Sequence, residues 1–149
     1  AGLRFAIERG FRVVNMSLAC HARYLAQLHE LCEAGYFRNQ TLVAARRNMP
    51  LVDHGLPAQL STVIGVDAAN AASPYDLGYR EGHPIEFTAR GNEVLVAAPD
   101  GRYAAERGAS YATATITGLC ALYLGRHPGL TPYELKALLK EQASAVAEG

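Results

Sequence analysis

The chain has 149 residues, half of them hydrophobic and 19% charged, which suits one packed domain and excludes a disordered polar tail. Fourteen basic side chains balance fourteen acidic ones, which excludes a nucleic-acid partner held by phosphate neutralisation. No apolar run reaches the length of a membrane span and no charged-then-apolar leader opens the chain, so no membrane partner is expected.

In chain order, Ala1–Arg9 reads as a short helix with Leu3, Phe5, Ala6 and Ile7 as apolar members, stopped by Gly10. Arg12–Leu18 (RVVNMSL) reads as a short buried strand. From Ala22 to Ala34, Leu25, Leu28, Leu31 and Cys32 recur at helical spacing, with Gly35 as the expected stop. Thr41–Ala45 (TLVAA) is a second strand and Ser61–Val66 (STVIGV) a third, separated by a loop carrying Pro50, Gly55 and Pro57. Residues 69–84 are rich in turn-formers and read as loop. Ile85–Thr88 and Glu93–Ala97 read as short strands, the second ended by Ala98-Pro99-Asp100-Gly101. Tyr111–Gly125 is a long helix broken by Pro128 and Gly129. A last helix opens at Thr131-Pro132-Tyr133-Glu134, with a cap, a first-turn proline and a capping-box glutamate, and buries Leu135, Leu138 and Leu139. Short, continuously apolar strands separated by helices point to an α/β fold with a parallel sheet and helices on both faces.

Cys20, Cys32 and Cys120 are odd in number and irregular in spacing, unlike a disulfide framework or a metal knuckle. They read as free, mostly buried thiols suited to a reducing compartment such as the cytoplasm.

The segment Gly108-Ala109-Ser110-Tyr111-Ala112 is the most informative for chemistry. A serine between a glycine and a long helix can expose its hydroxyl beside free backbone amides and the positive end of the helix dipole. The same serine could equally be a helix cap and nothing more. His54, beside Asp53, is a candidate base by composition, but its loop reads as exposed and polar. His21, His29, His83 and His127 have no better placement.

Five blocks, in order, resemble the subtilisin-like serine protease family: AGLRFAIERGFRVVNMSLA, TLVAARRN, LPAQLSTVIGVDAAN, IEFTARGNEVLVAAPDG and GASYATATITGLCALYLGRHPGLTPYELKALLKEQA. The resemblance covers almost the whole chain and implies the C-terminal half of that family's catalytic domain, residues 1–149 forming one unit. It puts Ser110 on the nucleophile and Asn48 on the oxyanion asparagine. Ser17, Leu18 and Ala19 fall on the strand that pairs with extended substrate. Ala45, Arg46 and Arg47 fall on the facing wall of the pocket for the residue before the scissile bond. The family's aspartate and histidine would lie upstream of this chain, so the isolated chain is expected to be inactive.

The sequence departs from the family pattern at Ala109, Tyr111, Ala114 and Thr115, and at Arg47, where the family has glycine. Arg47 is therefore expected to strain the backbone there, and Arg46 and Arg47 to crowd the pocket or charge it positively. The resemblance implies a peptide or protein substrate and no catalytic cofactor. The family often binds structural calcium, but no acidic cluster of ligand quality is legible. It also implies that the Arg12–Leu18 strand is an open apolar edge, covered by the upstream half or by self-association. The alternatives from other classes are a degenerate module of this family that binds a peptide or partner chain without cutting, and an unrelated α/β domain whose Ser110 is a cap.

Overall fold

In the computed structural model, which describes residues 1–48 and 54–143, helix α1 (Gly2–Glu8) buries Ala6 and Ile7 and leads to strand β1 (Val13–Met16). A 3-10 turn over Ala22–Tyr24, whose Arg23 amide donates to the His21 ring, precedes helix α2 (Leu25–Tyr36). Gly35 does not stop this helix. It lies buried inside it, where a β-carbon would touch Leu42 and Ile7, so its small size serves close packing against the sheet. The reversal falls instead on Asn39, at φ 58°, with the Gln40 amide returning to the Gly35 carbonyl.

Strand β2 (Thr41–Ala45) coincides with the expected segment, because all five of its residues are buried and nothing polar competes for them. Strand β3 (Ile64–Ala69) starts three residues later than its apolar run suggests, since pairing with the strand at Phe87–Arg90 extends through Ala69. Strand β4 (Leu77–Tyr79) lies inside the segment read as loop; its three residues are flanked by turns, too short for a period to show. Strands β5 (Phe87–Arg90) and β6 (Val94–Ala97) follow. A 3-10 turn over Pro99–Gly101 joins β6 to β7 (Tyr103–Glu106), a largely exposed strand with no apolar pattern of its own.

The main sheet has the order β1-β2-β3-β5-β4. Its first four strands are parallel and β4 is antiparallel to β5. Strands β6 and β7 form a separate antiparallel hairpin. Helix α3 (Ala109–Arg126) lies across β1, β2, β3 and β5, and helix α4 (Pro132–Gln142) packs beside β4. Val43, Val66, Phe87, Ile116, Leu135 and Leu139 form the core under α3 and α4. Leu42 and Ala44, pointing the other way at period two, pack with Met16, Cys32, Leu56 and Ile85 beneath α2. Each fully buried large apolar side chain here is worth about 1.5–3 kcal/mol.

The capping box of α4 forms as expected: the Glu134 amide donates to Thr131 Oγ1 and the Thr131 amide donates to Glu134 Oε2 at 2.8 Å. The cysteines are free, with Cys32 and Cys120 buried, and burial pushes both thiols up to about 12. Among the described residues, no helix is long and apolar enough to cross a membrane.

Candidate active site

Parallel strands deliver their C-terminal ends to one side of a sheet, where open α/β folds build their sites. Strands β1 and β2 pair in register as far as Met16 opposite Ala44. The segments that leave them, Ser17–Ala19 and Arg46–Asn48, therefore emerge side by side. The first turn of α3 arrives at the same place, bonded to both segments.

Helix α3 begins at Ala109, with Gly108 as its N-cap. Ser110 is thus the second helical residue and half-buried, not the cap. The first amides of a helix lack partners within it. That of Ala109 donates to Asn48 Oδ1 at 3.2 Å, across 61 positions of sequence. A backbone N–H can only donate, so the atom facing it is the amide oxygen, and Asn48 Nδ2 keeps both of its hydrogens for another acceptor. A β-carbon at position 108 would lie 3.3 Å from Asn48 Nδ2, so glycine there lets the amide approach the helix end.

The edge strand is tied to the same turn. Ser17 Oγ donates to the Ser110 carbonyl at 3.2 Å and accepts from Asn15 Nδ2 at 3.0 Å, while Thr117 Oγ1 donates to Asn15 Oδ1 at 2.8 Å. Asn15 and Thr117 were not singled out by sequence; a lone asparagine within an apolar strand was the available signal. Leu18 is half exposed and Ala19 half-buried beside it.

On the facing wall Ala45 is buried. The Arg46 guanidinium lies 2.9 Å from Asp67 Oδ2, which Arg80 also approaches at 3.2 Å. Asp67 is buried and went unremarked in the sequence, because its partners come from the residue after β2 and from the turn after β4. The Arg47 amide donates to the His54 carbonyl at 2.9 Å, and its guanidinium to the Cys20 carbonyl at 2.7 Å. Both side chains are engaged by the chain itself, Arg46 by a carboxylate it shares with Arg80 and Arg47 by a backbone carbonyl. The backbone strain expected at Arg47 is absent. Among the described residues, the non-glycine positions with positive φ are Asn39 and Glu93.

Among the described residues, no histidine shares a hydrogen bond with Ser110. His54 packs against His83 with ring centroids 5.2 Å apart, and Asp53 lies outside the described residues. His83 Nδ1 is 2.8 Å from the Ile85 carbonyl, His29 is 3.3 Å from Glu33, and the His127 amide closes the end of α3. No group of three or more His, Cys, Asp or Glu side chains among the described residues is arranged to hold a metal ion. The geometry brings three features to one place. They are a serine on a helix N-terminus, an anchored side-chain amide beside it, and the segment leaving β1, bonded to the same turn through Ser17.

The family model described as the subtilase family, Peptidase_S8, matches residues 1–149. Over 147 residues the chain is 28% identical to subtilisin of Bacillus pumilus, covering 96% of this chain and 53% of that protein. Over 152 residues it is 26% identical to subtilisin DY of Bacillus licheniformis, covering 99% and 55%. Among solved structures it is similar to sphericase, with a TM-score of 0.74 and 24% identity over 93% of this chain and 52% of that one. The S41 psychrophilic protease gives a TM-score of 0.73 and 21% identity over 94% and 53%. The chain therefore spans about half the length of these relatives.

Proposed function

The chain belongs to the subtilase family, and on that premise we propose that it carries the nucleophile and oxyanion half of a serine endopeptidase site. Ser110 Oγ attacks the peptide carbonyl carbon. A histidine from the preceding half of the domain takes the hydroxyl proton and later gives it to the leaving amine, and an aspartate from that half orients the histidine. Asn48 Nδ2 and the Ser110 backbone amide donate to the oxygen that becomes negative in the tetrahedral intermediate. Ser17–Ala19 supply backbone for an extended substrate, and Ala45–Arg47 line the recess for the residue before the cut. No catalytic cofactor is needed, and the 149 residues alone, lacking the base, are inactive.

The observation that carries this reading is the bond from the Ala109 amide to Asn48 Oδ1. It fixes which end of the Asn48 amide is free to donate, one residue from the serine. One such donor is worth about 3–4 kcal/mol in the transition state, a range that comes from subtilisin itself, a relative of this chain.

The test is covalent labelling of the full-length gene product with a fluorophosphonate, read by intact mass and peptide mapping. One adduct on Ser110, lost in Ser110→Ala and absent from the isolated 149 residues, is expected. A folded full-length protein that neither labels nor hydrolyses peptides would overturn it. That result would favour a subtilisin-like module that binds a peptide or partner chain without cutting, a reading that draws on Arg47 standing where the family has glycine.

The partner surface follows from the same premise. Strand β1 pairs with β2 on one side and forms the edge of the sheet on the other. The upstream half of the domain covers that edge, and without it the Arg12–Leu18 strand drives self-association. Sedimentation of the isolated chain as a monodisperse monomer would refute this.

A further inference from the structure

Gly55, at φ +81°, lies where three segments converge. A β-carbon built on it would stand 2.9 Å from the Arg47 β-carbon and 3.0 Å from the Ala19 β-carbon, inside van der Waals contact. Backbone hydrogen bonds hold the segments at that spacing. The Arg47 amide donates to the His54 carbonyl at 2.9 Å, and the Cys20 amide to the Leu56 carbonyl at 2.7 Å. The Arg47 guanidinium spans the remaining gap to the Cys20 carbonyl at 2.7 Å. The two walls assigned to the recess, Ser17–Ala19 and Ala45–Arg47, are thus drawn together through residues 54–56. Each wall also places a carbon substituent over Gly55, the Ala19 methyl from one side and the Arg47 side chain from the other.

We infer that the recess for the side chain preceding the scissile bond is closed at its floor by Ala19 and Arg47, so that it takes small side chains such as alanine or serine and rejects aromatic ones. This inference rests on the proposed site and names its substrate class. The closure is stiff, because widening it would break backbone hydrogen bonds on both sides of Gly55, and overfilling a closely packed space is unfavourable. Charge does not replace size as the selector. The Arg46 guanidinium already answers the Asp67 carboxylate, and that of Arg47 is bonded back to the Cys20 carbonyl, a contact an acidic side chain would have to displace.

The test uses the full-length protein carrying Ser110→Ala, which removes turnover, and four-residue peptides identical except for a C-terminal alanine, phenylalanine or aspartate. Binding is measured by calorimetry. The alanine peptide is expected to bind about 10–100-fold more tightly than the phenylalanine one, the discrimination a few carbon atoms produce in a closed pocket. Ala19→Gly is expected to shrink that ratio by raising affinity for phenylalanine. If Ala19→Gly does not fold, the ratio in the Ala19 protein decides alone. Equal or tighter binding of the phenylalanine peptide, tighter binding of the aspartate peptide, or no binding of any of the three would overturn the inference. Because binding is read without turnover, a failure of fluorophosphonate labelling sinks the proposed chemistry while the binding ratio still decides the shape of the recess.

Discussion

Strands β1 and β2 lie side by side, run in the same direction and end at the same site, yet they differ in almost every physical respect. All five residues of β2 are buried, between β1 and β3 at its edges and between α2 and α3 on its faces. Of the four residues of β1, Met16 alone is buried, and Asn15 is exposed with its amide spent on Ser17 and Thr117. The difference comes from neighbours more than from composition, since Val13 and Val14 are as apolar as Leu42 and Val43 but lack a strand on their outer side. The consequence reaches the site. Asn48 follows a strand covered on four sides and is anchored again by the Ala109 amide, so the group proposed as oxyanion donor is held from both directions. Ser17–Ala19 leave an edge: Ser17 is held by exposed side-chain hydrogen bonds, and the segment is tied by backbone at its far end, where the Cys20 amide donates to the Leu56 carbonyl.

Perturbations of these two strands should therefore differ in size. The largest effect is expected from Asn48→Ala, which should lower kcat of the full-length protein about 10²–10³-fold with little change in KM, as measured by peptide hydrolysis. A rise in KM of that size with kcat unchanged would instead place Asn48 in ground-state binding. Next, Leu42→Ala, in β2, should cost about 2–5 kcal/mol in urea unfolding of the full-length protein, because its site cannot collapse between α2 and the sheet. Val14→Ala, in β1, should cost less than half as much; equal losses would mean that β1 is as well covered as β2.

A change outside both strands serves as control. Thr131→Ala removes the cap of α4 and should cost about 1 kcal/mol, leaving hydrolysis unchanged. The pH dependence has a definite sign. Hydrogen bonds from the Thr131 amide and hydroxyl hold the Glu134 carboxyl below its ordinary value. Its contribution is complete above the ordinary carboxylate range and is lost as pH falls through the lowered value, so acid unfolding of Thr131→Ala should show less of this loss. The smallest effect belongs to Ser17→Ala, which removes one exposed bond to the Ser110 carbonyl and should change kcat/KM by less than about fivefold. A loss as large as that of Asn48→Ala would show that the edge strand positions the nucleophile.

Periodicity and turn chemistry determined a good deal of this protein by themselves. The continuous apolar run of Thr41–Ala45 and the Thr131–Glu134 box are local patterns, each readable because neighbours a few positions apart fix the structure. The ordered motifs likewise carried the family and the parallel sheet, which the family match and the fold support. Tertiary structure decided what depends on distant partners. Strand β4 exists because β5 offers a ladder, and Gly35 is a packing residue because Leu42 and Ile7 press against it. Arg46 turned out to answer Asp67, and Arg47 to close over Gly55 without backbone strain. The physical reason is the same throughout. Local sequence sets which backbone states are favourable, whereas burial, charge pairing and the space left for a substrate are properties of surfaces that meet only when the chain has folded.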